Sequence, residues 1–321
     1  MSKLDPSEIV EVDPAVAAEL TARATAQGSG PVLVHAVRGF MDAGSAGQLA
    51  VEHLVEELPH ARLATFDADQ LVDYRSRRPT MTFDGTTWTG YDAPELVVDL
   101  VRDAEGVPFL LLHGHEPDVQ WERYVAAVQQ LVERFDVPLT VGLHGIPMGL
   151  PHTRPVSVTA HATRAELVAD HPSWFGTVQV PASASALLEL RLGEAGHDAM
   201  GFAVHVPHYL AQSQFPRATI AGLHAVERAT GLDLRTGELE AAATDATLEI
   251  ERQVAQSDEV RQLVSALEEQ YDSFTRSSGR ASLLAQTADL PTADELGAQF
   301  ERFLAQQGEA PDAGPGLPDP S

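Results

Sequence analysis

PFLLLHGHEPDVQWERYVAAVQQLVERFDVPLTVGLH, residues 108–144, decides the fold. Its first five residues are an apolar run opened by proline, and 108–113 reads as a buried strand. Residues 117–135 then place Trp121, Val125, Val128, Val132 and Phe135 at spacings of four and three, one face of a 3.6-residue repeat. Pro117 near the start and Asp118 in the first turn suit a helix N-terminus. A second apolar run, 138–144, follows at once. Strand, helix and strand in so short a length predict a mostly parallel sheet covered by helices on both faces.

The same alternation extends outward. Residues 31–37 read as a strand, 44–58 as a helix with Leu49, Leu54 and Leu58 on one side, and 62–66 as a short strand. Residues 69–78 carry Asp69, Asp73, Arg75, Arg77 and Arg78 and read as a polar loop or short helix. The segments 80–83 and 86–89 flank Asp84-Gly85, a strong hairpin signal, and make the sheet mixed. Residues 93–103, with Pro94 in the first turn, read as a helix. Strands at 156–163 and 199–206 enclose a helix at 183–195. Beyond residue 216 strand signals stop and helices are expected over 216–230, 236–256, 258–275 and 292–306, the last opened by a capping box, Thr292 to Glu295. The expected organisation is an N-terminal helix and turn (1–30), an α/β domain (31–215), a helical region (216–306) and a disordered tail (307–321) rich in proline and glycine.

Composition narrows the chemistry. The 321 residues carry a formal net charge of −26, which disfavours nucleic acid and anionic membrane as partners and marks an acidic protein. There is no cysteine, so disulfides, thiolate metal sites and thiol nucleophiles are excluded. Lys3 is the only lysine, leaving none in the body to act as Schiff base, general base or phosphate ligand. The first eleven residues are polar and acidic, unlike a signal peptide, and no apolar run reaches the ~18 residues of a membrane span. The expected location is cytoplasmic.

Three strand exits bear polar clusters. After 31–37 stand Arg38 and Asp42 among Gly39, Gly44 and Gly47. Such a turn could cradle phosphate, or could simply pack a helix closely, and it fits neither common phosphate-binding pattern. After 108–113 stand His113, His115, Glu116 and Asp118. These could ligate a metal, although their spacing matches no metal signature and the two carboxylates suit a helix cap. After 138–144 comes GIPMGLPHTRP (145–155), in which prolines and glycines forbid helix or strand, with His144, His152 and Arg154, and His205 and His208 further on. Histidine and arginine there could bind an anion, or satisfy one another in a rigid loop. No G-x-S-x-G elbow occurs, and Ser45 has no base that sequence can align with it.

Together GFMDAG (39–44), RSRRPTMTFDG (75–85), GHEPDVQWERY (114–124), GIPMGLPHTRP (145–155) and HVPHYLAQSQFP (205–216) resemble the proteasome assembly chaperone 2 family, in its actinobacterial branch. The resemblance runs from Pro31 to the last helix. It implies a three-layer α/β/α sandwich of the phosphorylase/hydrolase-like type with a mostly parallel mixed sheet, followed by a C-terminal helical region. It also implies self-association into a homo-oligomer and a proteasome-related protein partner. Archaeal members that dock on the proteasome end in a hydrophobic-Tyr-any tripeptide. This chain ends Pro318-Asp319-Pro320-Ser321, so that docking mode is not expected of it.

The resulting expectation is a non-enzymatic binding or assembly protein. The alternatives are an enzyme of the nucleoside phosphorylase or hydrolase type, or a sensor of a small anionic metabolite. Arg38, Asp42, Glu116, Asp118, His152, Arg154 and His208 are the candidate pocket, and no metal, cofactor or catalytic residue is assigned. Open convergence of these side chains on one pocket favours an enzyme, whereas burial and mutual pairing favour a binding protein.

Overall fold

An eight-stranded sheet organises the chain. The computed structural model describes residues 4–171 and 176–277, all within the first of two units, Met1–Ser282 and Leu283–Ser321. The helix expected over 292–306 and the tail over 307–321 lie outside the described residues. Four strands form a parallel centre: β2 (Leu33–Arg38), β7 (Pro108–His115), β8 (Thr140–Met148) and β10 (Ala199–Pro207). Around them lie β1 (Val10–Val12), β3 (His60–Phe66), β6 (Leu96–Arg102) and β9 (Val158–Ala162), in the order β1-β3-β6-β7-β2-β8-β10-β9. The pairings β1–β3, β3–β6, β6–β7 and β9–β10 are antiparallel, so five of the eight strands point one way.

Helices cover both faces. On one face α2 (Ala46–Glu57) and α6 (Pro216–Thr230) share a core with Val34, Leu111, Val141, Phe202 and Val204. On the other, α1 (Pro14–Gln27), α4 (Trp121–Arg134) and α5 (Ala184–Glu194) pack on Leu33, Leu110, Leu112 and Val98. The result is a three-layer α/β/α sandwich. In α4 the expected stripe is buried as Val125, Val128 and Val132, with Tyr124 and Leu131 beside it. The C-terminal pair α7 (Glu240–Gln256) and α8 (Asp258–Ser277) adds Ile250, Val264 and Leu267 to the α2–α6 core. Helix α6, expected to belong to the helical region, is thus itself part of the sandwich.

Four expectations are corrected. Residues 145–148, expected to be kept out of any strand by proline and glycine, extend β8 and pair with Val204–Pro207 of β10. Residues 96–102 form β6, where a helix over 93–103 was expected. Val97, Val98, Leu100 and Val101 are buried because β6 lies inside the sheet between β3 and β7, where both faces are covered and no alternation survives. The hairpin exists as β4 (Met81–Asp84) and β5 (Thr87–Tyr91), but it forms its own two-stranded sheet; β1, β6 and β9 make the main sheet mixed. The N-terminal segment contributes β1 as well as a helix. The short helix α3 (Ala68–Leu71) lies in the polar 69–78 region.

Two features of these sheets matter below. Register pairs Met81 with Tyr91 and Phe83 with Trp88, so one face of the hairpin is apolar, and these four side chains are 50–62% exposed. In the main sheet His35, Gly142, Gly201 and His161 form one row across β2, β8, β10 and β9. A Cβ on Gly142 would stand 2.8 Å from the His35 ring and one on Gly201 2.3 Å from the His161 ring.

Candidate functional site

The C-terminal ends of β7, β2, β8 and β10 are neighbours, so all seven candidate residues lie in segments leaving one edge of the sheet. Each polar group there is then fixed by what it bonds.

Asp42 precedes α2. Its Oδ1 accepts from Gly47 N and Gly145 N and its Oδ2 from Gln48 N, each at 2.9 Å. The carboxylate thus caps α2 and ties it to the exit of β8. Burial pushes its pKa up, against those three N–H groups. A Cβ on Gly145 would meet Ala43 O at 2.0 Å, so the approach needs glycine. Gly44 (φ 68°) and Ser45 (φ 53°) both take left-handed conformations to turn the chain into the helix.

Glu116 is 5% exposed and clamps two segments. Its Oε1 accepts from Ala184 N at the start of α5 (2.7 Å) and its Oε2 from Phe40 N (3.2 Å). Asp118 accepts from Asp73 N (2.9 Å) and pairs with Arg77 (2.8 Å), holding the loop that leads to the hairpin. The run His113 to Asp118 therefore scatters. His113 Nε2 meets Asp99 Oδ2 (2.8 Å) and His115 Nδ1 lies 3.5 Å from Arg38 Nη2, while the carboxylates face other partners. Among the described residues no group of three or more His, Cys, Asp or Glu is arranged to hold a metal ion.

His152 is 3% exposed. Tyr209 Oη accepts from His152 N (2.8 Å) and lies 2.7 Å from Nδ1, an arrangement in which the hydroxyl donates to a neutral ring. Burial, with Arg217 adding to it, lowers the His152 pKa. Arg217 Nη1 donates to His152 O (2.6 Å). Arg154 forks onto Asp272 of α8, with Nε to Oδ1 at 2.8 Å and Nη2 to Oδ2 at 2.7 Å, and Nη1 reaches Glu268 at 3.2 Å. The 145–155 segment is thus the seat of α8. His208 is half-buried, its pKa is lowered by burial, and its Nε2 meets no hydrogen-bond partner among the described residues. Of the seven, Arg38 alone stays exposed; it lines a cavity of about 440 Å³ against α2.

Sequence reasoning missed the partners: Asp99, Tyr209, Arg217, Glu268 and Asp272. Tyr209 was adjacent to a candidate, but Asp272 is 118 residues from Arg154 and carries no local signal. Also unforeseen was the cluster of His35, His144 and His161 under α5, where Glu189 pairs with His161 (2.9 Å).

Fold and site together define an α/β/α protein whose strand-exit polar groups lock chain segments to one another. The chain belongs to the PAC2 family, whose pattern matches residues 36–254. It is similar to a Mycobacterium tuberculosis protein of unknown function, with 45% identity and a TM-score of 0.78 over 94% of this chain and 97% of that one. A Corynebacterium glutamicum protein of unknown function is 37% identical over 83% of this chain and 98% of its own, with a TM-score of 0.78. A M. tuberculosis proteasome-assembly chaperone homologue is 26% identical over 73% of this chain and 99% of its own, with a TM-score of 0.67. No curated protein matches the chain. Among the described residues no helix is long and apolar enough to cross a membrane.

Proposed function

We propose that this protein is a non-enzymatic, cytoplasmic assembly protein that acts as a homo-oligomer on a proteasome-related partner. The observation that carries the reading is the use of the strand-exit groups. Asp42, Glu116, Asp118, His152 and Arg154 all spend their hydrogen bonds on other segments of this chain rather than facing a shared pocket. The partner class is suggested by the similarity to the proteasome-assembly chaperone homologue.

The apolar hairpin face is the surface we assign to a second copy. Exposed aromatic area of this kind marks protein contacts, and a lone two-stranded hairpin is marginal in water. Arg75 and Arg78 are exposed just before it, and on a chain of net charge −26 they are complemented by the acidic surface of another copy. Sedimentation velocity on the full chain tests this. An oligomer that Phe83→Glu with Trp88→Glu converts to monomer is expected, and a monomeric wild type refutes the assignment. Co-elution with purified proteasome α-subunits tests the partner. Its absence, together with turnover of a nucleoside, ester or amide that Asp42→Asn abolishes, would replace the reading with an enzymatic one.

A further inference from the structure

Helix α2 buries Ala46, Ala50 and Leu54 in the core and turns a second flank outward. Along its flank, between Gln48, Val51, Glu52, Val55 and Glu56 and the strands β2 and β7, runs the cavity of about 440 Å³, within the range of small-molecule sites. Its ends differ in charge. At the N-terminal end of α2 stands Arg38, whose backbone is pinned because its carbonyl accepts from Glu116 N (2.9 Å) and Arg77 Nη1 (3.1 Å). Its guanidinium is exposed, with one contact to His115.

His113 forms part of the same wall. Its ring is fixed by Asp99, which is 1% exposed and is also held by Arg62 Nε at 2.7 Å. A buried carboxylate behind an imidazole orients the ring. Toward the other end, Glu52 and Glu56 succeed one another by one helical turn. Between the charged ends the wall is apolar: Ala36, Val51 and Val55. From Gln48 to Glu56 the helix rises roughly 12 Å.

We propose that this cleft binds a short peptide with free termini and apolar side chains, its carboxylate at Arg38 and its ammonium at Glu52 and Glu56. Three extended residues span roughly 10 Å, comparable with the roughly 12 Å rise of α2 between Gln48 and Glu56 along the cleft. A polyanion would be repelled by the two glutamates, and a plain hydrocarbon would leave both charged ends unmatched. The planar guanidinium of Arg38 is a carboxylate receptor. The site is separate from the residues that lock the strand exits, apart from Arg38, whose side chain takes no part in that locking.

The test is isothermal titration of the full chain with trileucine and with N-acetyl-trileucine amide, which lacks both charges. Saturable binding of trileucine is expected, with the capped peptide at least about tenfold weaker. Arg38→Gln and Glu56→Gln, both at exposed positions, should each weaken trileucine by about tenfold with unchanged circular dichroism, and Arg252→Gln, exposed on α7 and outside the cleft, should not. No saturable heat at millimolar trileucine, equal binding of the capped peptide, or unaltered affinity in both cleft variants overturns the proposal.

Discussion

Replacing Glu116 by alanine separates a structural clamp from a ligand-binding group. The carboxylate holds Ala184 N at 2.7 Å and Phe40 N at 3.2 Å, and the residue is 5% exposed. A short bond to a charged acceptor contributes about 1.5–3 kcal/mol, and a longer one about 0.5–1.5. Removing the side chain leaves both N–H groups without their acceptor, and α5 also loses a negative charge at its N-terminus. The expected loss is therefore about 2–4.5 kcal/mol, a fall of roughly 3–7 °C in Tm for a chain of this size. Urea unfolding at constant pH measures it, and an unchanged m-value shows that the unfolded state is not responsible. A double-mutant cycle sharpens the result. A Cβ on Gly39 would stand 1.9 Å from Glu116 Oε2, so Gly39→Ala should cost less in the Glu116→Ala background than in the wild type. A Glu116→Ala loss within about 0.5 kcal/mol, the range of surface substitutions, would refute the clamp.

Three further outcomes are expected. His35, His144 and His205 are each held down to about 4 by burial, so they are neutral in the native protein while their unfolded counterparts titrate near 6.5. Their contribution is present above pH 6.5 and is lost as pH falls toward 4. Moving from pH 7.5 to 5.5 should cost about 4 kcal/mol in urea unfolding, and His144→Gln should remove about one proton from the slope. Nearby His161 and Glu189 are retained in that variant and serve as the background. Arg154→Ala should raise amide exchange throughout α8 while leaving the central strands protected, because the fork to Asp272 and Glu268 seats that helix. Tyr209→Phe should cost about 1–3 kcal/mol by leaving the buried His152 N–H without its acceptor, read by thermal unfolding.

The central strands and α4 were legible because one pattern sufficed for each: a continuous apolar run for a strand buried on both faces, a four-and-three spacing for the helix. The 96–102 segment was misread because Leu96-Val97-Val98-Asp99-Leu100-Val101 offers an apolar run broken by one carboxylate, which local reasoning takes for the polar side of a helix. Asp99 is instead buried, and what makes that tolerable is Arg62, 37 residues earlier, and His113, 14 later. The same limit applied at the strand exits. Their residues could be placed at one edge of the sheet, since that follows from parallel topology. Whether they faced a ligand or one another could not, because Asp42 meets Gly145 across 103 residues and Glu116 meets Ala184 across 68. The hairpin's turn was local and readable, whereas its detachment from the main sheet depended on which strand took the place beside β7.

The row His35–Gly142–Gly201–His161 links four strands by volume rather than by bonds. Each imidazole occupies the space that its neighbouring glycine leaves empty. A side chain can enter at residue 142 or 201 only in a lineage where the facing ring has already become smaller. Among aligned relatives, ring and glycine should therefore be inherited as pairs, 35 with 142 and 161 with 201, and exchange together when they exchange at all.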